Sequence, residues 1–210
     1  MSSEVALVFV LDDNPAMRAS VESLLRSVGH AVASFHSAQD FLAADPHDGP
    51  ACLILDVRLP GASGLEFQRE LTRQGRSVPV IFITGHGDVQ MSVAAMKAGA
   101  IEFLTKPFRD QDLLDAVHKG LALDVDRRRR LKEIDALRAR YESLTPRERE
   151  ILPLVASGLM NKQIAASLQL SEITIKVHRA QVMQKLQAAS LADLVRLSDR
   201  IAEAVTGTAG

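Results

Sequence analysis

The sequence predicts an α/β fold of the flavodoxin-like, doubly wound kind, followed by a helical connector and a small all-helical domain. Three observations carry this expectation. Short apolar runs alternate with amphipathic stretches through residues 5–121; several of those runs end directly on a carboxylate or hydroxyl; and beyond residue 143 strand-like runs give way to helical periodicity. In order, VALVFVL (5–11), HAVASF (30–35), ACLILD (51–56), VPVIFIT (78–84) and IEFL (101–104) read as strands, with helices over 15–28, 37–44, 64–74, 88–98 and from 110 onward. Five βα units at this spacing require a parallel sheet covered by helices on both faces, because crossovers are right-handed and each helix must bury its apolar stripe. The expected strand order is 2-1-3-4-5. Gly29, residues 45–50, Pro60-Gly61, Gly75, Gly85, Gly87 and Gly99 fall between the elements.

From Leu121 to Leu144 neither Pro nor Gly interrupts the chain, so the fifth helix is expected to continue as a helical linker over 122–142, dividing a first domain (1–121) from a last one (143–210). Within it Ile134, Leu137, Tyr141 and Leu144 recur at a/d spacing, which reads either as a solvated connector with one apolar stripe or as a dimer-forming seam. The run 127–130 reads as a solvated helix face rather than a nucleic-acid contact. After Leu144, Thr145, Pro146 and Glu148 form a capping-box signature opening a helix that runs to Ala156 and breaks at Ser157-Gly158. A second helix spans 161–168, a tight turn at Gln169-Leu170 leads to the N-cap Ser171, a third helix spans 172–186 and a fourth begins at Ser190. Two helices joined by so short a turn make a helix-turn-helix. Ile164, Ala165, Leu168, Leu170, Ile173, Ile175, Val182 and Leu186 are expected to form its core. Leu191, Leu194, Val195 and Leu197 suit either that core or a homodimer seam.

Composition narrows the function classes. The chain has 210 residues, 47% hydrophobic and 24% charged, with no apolar run long enough to span a bilayer. MSSEVALVFV opens without a basic n-region or a small-residue cleavage site, so the first hydrophobic run reads as a strand; the expected compartment is cytoplasm, without membrane association. The single cysteine, Cys52, lies in an apolar run and is expected to be a core thiol without redox or metal function. Net charge is only −1, but residues 1–121 carry ten Lys/Arg against fifteen Asp/Glu, whereas 143–210 carry eight against six. That asymmetry hints at nucleic acid as the partner of the back half.

With the first and third strands adjacent, Asp12, Asp13 and Asp56 converge at the carboxyl edge of the sheet, where open α/β folds place their ligands. Three carboxylates repel one another unless a hard divalent cation binds. An aspartate oxygen is a competent nucleophile toward phosphorus, Lys106 can neutralise developing charge, and Thr84 can donate its hydroxyl to a phosphoryl oxygen. The chain has neither a GxxxxGK[ST] loop nor a GxGxxG after a strand, so ATP is not the expected direct donor.

LDD at 11–13, LILD at 53–56, ITG at 83–85 and LTKPF at 104–108 together resemble the receiver domain of two-component response regulators, over essentially all of 5–121. The resemblance implies that Asp56 accepts phosphate from a sensor histidine kinase, that Asp12, Asp13, Asp56 and the Arg58 backbone carbonyl hold Mg²⁺ (or Mn²⁺), and that Thr84 and Phe103 form a switch. It also implies a cis Lys106-Pro107 bond. Phe103 could instead be a static core residue, and His86 could tune phosphate lifetime. LTPREREILPLVASGLMNKQIAASLQLSEITIKVHRAQVMQKL is similar to the four-helix DNA-binding domain of the LuxR/NarL/FixJ family, over about 143–205. That similarity implies that the third helix enters the major groove with Lys176, Val177, His178, Arg179 and Gln181 near DNA, while Asn161 and Lys162 cap the preceding helix near a phosphate. The family's recognition helix sometimes carries a second lysine where this chain has Ala180.

The expectation is therefore a phosphoprotein transcription regulator of the FixJ/NarL type that binds double-stranded promoter DNA, as a homodimer when phosphorylated. It is not an enzyme beyond its own aspartyl phosphorylation and dephosphorylation. Rival readings are a phosphotransfer or phosphatase enzyme with a helical tail, which would need turnover on a small substrate, and a receiver that binds a partner and is controlled without phosphate. RNA binding is disfavoured by one Tyr and no Trp, which leave few stacking platforms.

Overall fold

The computed structural model describes residues 5–85 and 89–206. The chain divides into two compact units, Met1–Arg128 and Arg129–Gly210. In the first, β1 (Leu7–Leu11), β2 (Ala31–Phe35), β3 (Ala51–Asp56), β6 (Val80–Thr84) and β7 (Glu102–Thr105) form one sheet in the order β2-β1-β3-β6-β7, every pair parallel. Counting these five alone, the order is the expected 2-1-3-4-5. The numbering differs because a two-stranded antiparallel ribbon, β4 (Arg58–Leu59) with β5 (Ala62–Ser63), is inserted after β3. Two-residue strands leave no periodic signature, so nothing in the sequence announced the ribbon.

Alternation along the strands sorts the core into two layers. Val8, Val10, Cys52, Ile54, Ile81 and Ile83 face α1 (Pro15–Ser27) and the start of α5 (Asp110–Glu142), through Val21, Leu25, Leu113 and Val117. Leu11, Leu53, Leu55, Val80 and Phe82 face the other way, onto Phe41 of α2 (Ala38–Ala43), Phe67 and Leu71 of α3 (Gly64–Arg73) and Ala95 of α4 (Val89–Lys97). β3 and β6 are buried at every position, which is why they read as unbroken apolar runs: a central parallel strand is covered on both faces. Cys52 belongs to this core, and burial, with Asp124 nearby, pushes its thiol up to about 12, so it is inert as a nucleophile.

The fifth helix does continue without a break to Glu142, and the arginines beyond the sheet are not all solvated as expected. Asp124, buried, accepts the Ala51 N–H at 2.9 Å, Arg127 Nε at 2.8 Å and Arg128 Nε at 2.7 Å. Arg128 also donates to the carbonyls of Asp48 (2.6 Å) and His47 (3.2 Å). A carboxylate facing the start of β3 recruits two of the four arginines into the fold, because its charge is sustainable in the core only when paired.

The second unit contains the end of α5, then α6 (Pro146–Ala156), α7 (Asn161–Leu168), α8 (Glu172–Lys185) and α9 (Leu191–Thr206). The boundaries fall within a residue or two of those expected. The stripe on the linker has a use that neither sequence reading foresaw: Leu137 and Leu144 are buried in the core of this unit and Tyr141 packs against it, while Ile134 stays exposed. Leu194 and Leu197 of α9 join the same core. Ile173 does not; it is 77% exposed, whereas Ile175, two positions on and so on the opposite side of the helix, is fully buried.

The Thr145–Glu148 capping box is formed, and Glu148, buried, also accepts Lys185 Nζ at 2.7 Å. Burial alone would raise the Glu148 carboxyl, but the Lys185 ammonium and the Thr145 N–H outweigh it and hold it below its ordinary value. A depressed carboxyl contributes stability that is present above the ordinary value of 4.5 and is lost as pH falls through its folded value. Glu148→Gln should therefore lower stability by about 1–2 kcal/mol near neutral pH, and the difference from wild type should shrink as pH falls below the ordinary carboxyl value and vanish once the folded carboxyl is protonated. Urea midpoints measured across that range check this.

Candidate acidic site and nucleic-acid interface

Leu11 pairs with Leu55 across β1 and β3, so the next residue of each strand, Asp12 and Asp56, emerges side by side at the carboxyl edge. Thr84 pairs with Thr105, which delivers Lys106 one step beyond to the same edge. Lys106 Nζ lies 2.6 Å from Asp12 Oδ2 and 2.6 Å from Asp56 Oδ2. The remaining oxygens are also held: Asp12 Oδ1 accepts the Asn14 N–H at 2.8 Å and Asp56 Oδ1 the Arg58 N–H at 2.9 Å. Arg18 Nη1 anchors the Asp12 carbonyl at 2.6 Å, and Asn14 caps α1 by accepting from Ala16 and Met17. Asp12 and Asp56 are buried and Asp13 is exposed; one carboxylate oxygen from each lies within 4.8 Å of the others.

The electrostatics follow from this crowding. Burial pushes the Asp56 carboxyl above its ordinary value; the Lys106 ammonium and the Arg58 N–H offset only part of that rise, to which repulsion from Asp12 adds a smaller share. Burial would lower the Lys106 ammonium, but two carboxylates outweigh it and hold it above its ordinary value. One cation shared between two buried anions, with a third anion exposed beside them, leaves an excess of negative charge. Hard oxygen donors in that arrangement suit a divalent cation.

Thr84 ends β6 in full burial, and its carbonyl accepts the Lys106 N–H at 2.7 Å. Phe103, on β7, is half-buried with its ring 6.5 Å from that of Phe82. The Lys106-Pro107 bond is cis. Arg58 opens β4 two residues after Asp56. His86 lies outside the described residues.

Gly64 is a residue of this site that sequence reasoning missed. A Cβ there would stand 2.4 Å from the Asp56 carbonyl oxygen and 3.1 Å from Val57 Cα, so the start of α3 approaches the backbone of Asp56 as only glycine allows. The Gly64 N–H donates to the Val57 carbonyl at 2.8 Å, and Ser63 and Glu66 form a capping box around it. The available signal was Ser63-Gly64 with Glu66 three residues after Ser63. Gly64→Ala is expected to cost about 2 kcal/mol, because the opposing atoms are backbone and cannot turn aside; chemical unfolding measures it.

In the second unit, Gln169 takes a left-handed conformation (φ 54°) to make the turn between α7 and α8, and Ser171 caps α8 by accepting the Thr174 N–H at 3.1 Å. Lys176, Val177 and Gln181 of α8 and Lys162 of α7 are exposed. His178, Arg179 and Asn161 are half-buried, and Arg179 Nη1 donates to Asn161 Oδ1 at 3.3 Å. Asn161 and Lys162 were expected to cap α7, but the cap is Met160, whose N–H is accepted by Gln163 Oε1 at 2.8 Å. Asn161 is instead the first helical residue and steadies α8 through Arg179.

A parallel sheet with an acidic triad and a lysine at its carboxyl edge, joined to a helix-turn-helix, defines a class. The chain belongs to the response regulators: residues 8–118 match the response regulator receiver domain and residues 142–198 match the LuxR family of bacterial regulatory proteins. It is 52% identical to Nodulation protein W of Bradyrhizobium diazoefficiens, over 95% of this chain and 88% of that protein. Identity to Response regulator protein TodT of Pseudomonas putida is 43%, over 98% of this chain and 90% of the relative. Among solved structures, response regulator StyR superposes with a TM-score of 0.86 at 48% identity, covering 93% of this chain and 99% of that one. The chain is a transcriptional response regulator rather than an enzyme, and its two domains imply a sensor kinase as input and DNA as target. Among the described residues, no helix is long and apolar enough to cross a membrane.

Proposed function

We propose that Asp56 is the phosphoryl acceptor, that Asp12, Asp13, Asp56 and the Arg58 carbonyl hold Mg²⁺, or Mn²⁺ in its place, and that phosphorylation favours a homodimer on promoter DNA in the cytoplasm. The observation that carries this reading is the placement of Lys106 Nζ at 2.6 Å from both Asp12 and Asp56, beside the exposed Asp13 carboxylate. The donor set fits a hard cation, which when bound neutralises phosphoryl charge and orients the donor. Asp56 Oδ2, bonded only to the Lys106 ammonium in the contacts described, is the oxygen placed to attack phosphorus; Oδ1 is steadied by the Arg58 N–H. As the new bond forms, the donor's leaving group departs in line and the Lys106 ammonium takes up the growing charge on the phosphoryl oxygens.

Thr84 donates its hydroxyl to the phosphoryl group, and Phe103, half-buried beside Phe82, turns inward in response. Phosphate thereby biases the face built from α4, β7 and the start of α5. Residues 122–142 connect the receiver (1–121) to the output domain (143–210), in which α8 enters the major groove with Lys176, Val177, His178, Arg179 and Gln181, supported by Asn161 and Lys162 near phosphates. The test is to incubate the purified protein with acetyl phosphate, with and without Mg²⁺, trap the acyl phosphate by borohydride reduction and locate it by peptide mass. Modification at position 56 that disappears on chelation is expected; modification elsewhere, or indifference to chelation, would overturn the assignment.

A further inference from the structure

Beside its exposed polar residues Lys176 and Gln181, α8 also carries an exposed apolar line. Ile173 is 77% exposed and Val177, one turn on, 55%; Ala180, also exposed, continues the line at the next turn. The core does not need them, since Ile175 and Val182 on the other side are fully buried. An isolated exposed apolar residue is ordinary. Two stiff β-branched side chains in line with a small one, flanked by exposed Lys176 and Gln181 on the second helix of a helix-turn-helix, form a surface of definite shape and chemistry.

We propose that Ile173 and Val177 are specificity-determining residues that read the C5-methyl groups of thymine in the major groove. The proposal rests on the reading of α8 as the helix that enters DNA. The thymine methyl is the apolar group that base edges present in that groove, and a β-branched side chain packed on it excludes water and disfavours cytosine at that step. Ala180, with no long side chain, lets the helix backbone approach the bases. Four helical residues advance about 6 Å, close to two base-pair steps of duplex, so the two thymines read should lie about two base pairs apart. Lys176 and Gln181, beside the stripe, supply phosphate or base-edge hydrogen bonds without setting the methyl preference.

The test removes the methyl and nothing else. Duplexes are selected from a random library by the full-length protein in the presence of beryllofluoride and Mg²⁺, then rebuilt with uracil replacing thymine one position at a time. Two positions are expected at which uracil weakens wild-type binding about fourfold, the effect of one lost methyl contact. Ile173→Ala should be blind to the change at one of them and Val177→Ala at the other, while Lys176→Ala binds all duplexes more weakly yet keeps the methyl sensitivity. Both apolar positions are exposed, so unfolding midpoints should match wild type and exclude a folding defect. Binding indifferent to uracil everywhere, or sensitivity that survives in both alanine variants, overturns the proposal while leaving DNA binding intact. Failure to select any duplex would overturn the DNA reading of α8 and this proposal with it.

Discussion

Asp56→Asn is expected to take up no phosphoryl group from acetyl phosphate and to lose all phosphate-stimulated DNA binding and dimerisation. The amide keeps the size and the bond to the Arg58 N–H, but it removes the oxygen nucleophile and one of the three clustered carboxylates. Lys106→Met separates acceptor from electrostatics. It keeps Asp56 yet removes the cation that lies 2.6 Å from two buried carboxylates, so the Asp56 carboxyl, already raised by burial, rises further and attacks less readily. Loss of one preorganised charge from such a site slows the transfer by about a hundredfold. Acyl-phosphate yield against time, with scattering-detected mass under beryllofluoride, measures both variants. Stimulated DNA binding that survives in Asp56→Asn would sink the acceptor assignment, and Lys106→Met at the wild-type rate would remove the lysine from the mechanism.

Asp124→Ala is expected to destabilise the first unit by about 3 kcal/mol, although it touches neither the acidic edge nor α8. The substitution leaves the buried Ala51 N–H without its acceptor and frees Arg127 and Arg128 from the carboxylate that both grip. Part of that cost is softened because the two guanidinium groups are partly exposed, with side-chain exposures of 33% and 24%, and regain water. Asp124→Asn, which keeps an acceptor for Ala51, should lose about half as much. Guanidinium unfolding followed by circular dichroism reads both. A change below about 0.5 kcal/mol for Asp124→Ala would mean that the cluster is ornamental.

The Asp124 cluster also marks where reading a sequence stops. Ala51 and Asp124 lie 73 positions apart, and the arginines after Asp124 looked like any solvated charge run. Gly64 poses the same difficulty on a smaller scale: its position is set by the Asp56 backbone, eight residues back across the β4–β5 ribbon, and no periodicity signals that approach. Ile173 and Ile175 are alike in composition and differ only in which side of α8 meets the core. Leu137 and Leu144 kept a/d spacing whether they served a partner or their own domain, and only the packing of α6 to α9 beside them decided for the latter.

By itself the sequence determined the strands and helices, the parallel sense of the sheet and the placing of Asp12, Asp56 and Lys106 at or just beyond the ends of strands. These follow from short-range causes: period-2 and period-3.6 apolar patterns, caps such as Thr145 with Glu148 and Ser171, and a chain that must cross over in one hand. The tertiary structure alone decided that Lys106 is shared between two carboxylates, that Asp124 ties two arginines to β3, that Gly64 must lack a side chain and that α8 turns Ile173 and Val177 outward. Periodicity states which residues share a face, whereas charge pairing, close approach and exposure depend on what that face meets once residues far apart in the chain are brought together.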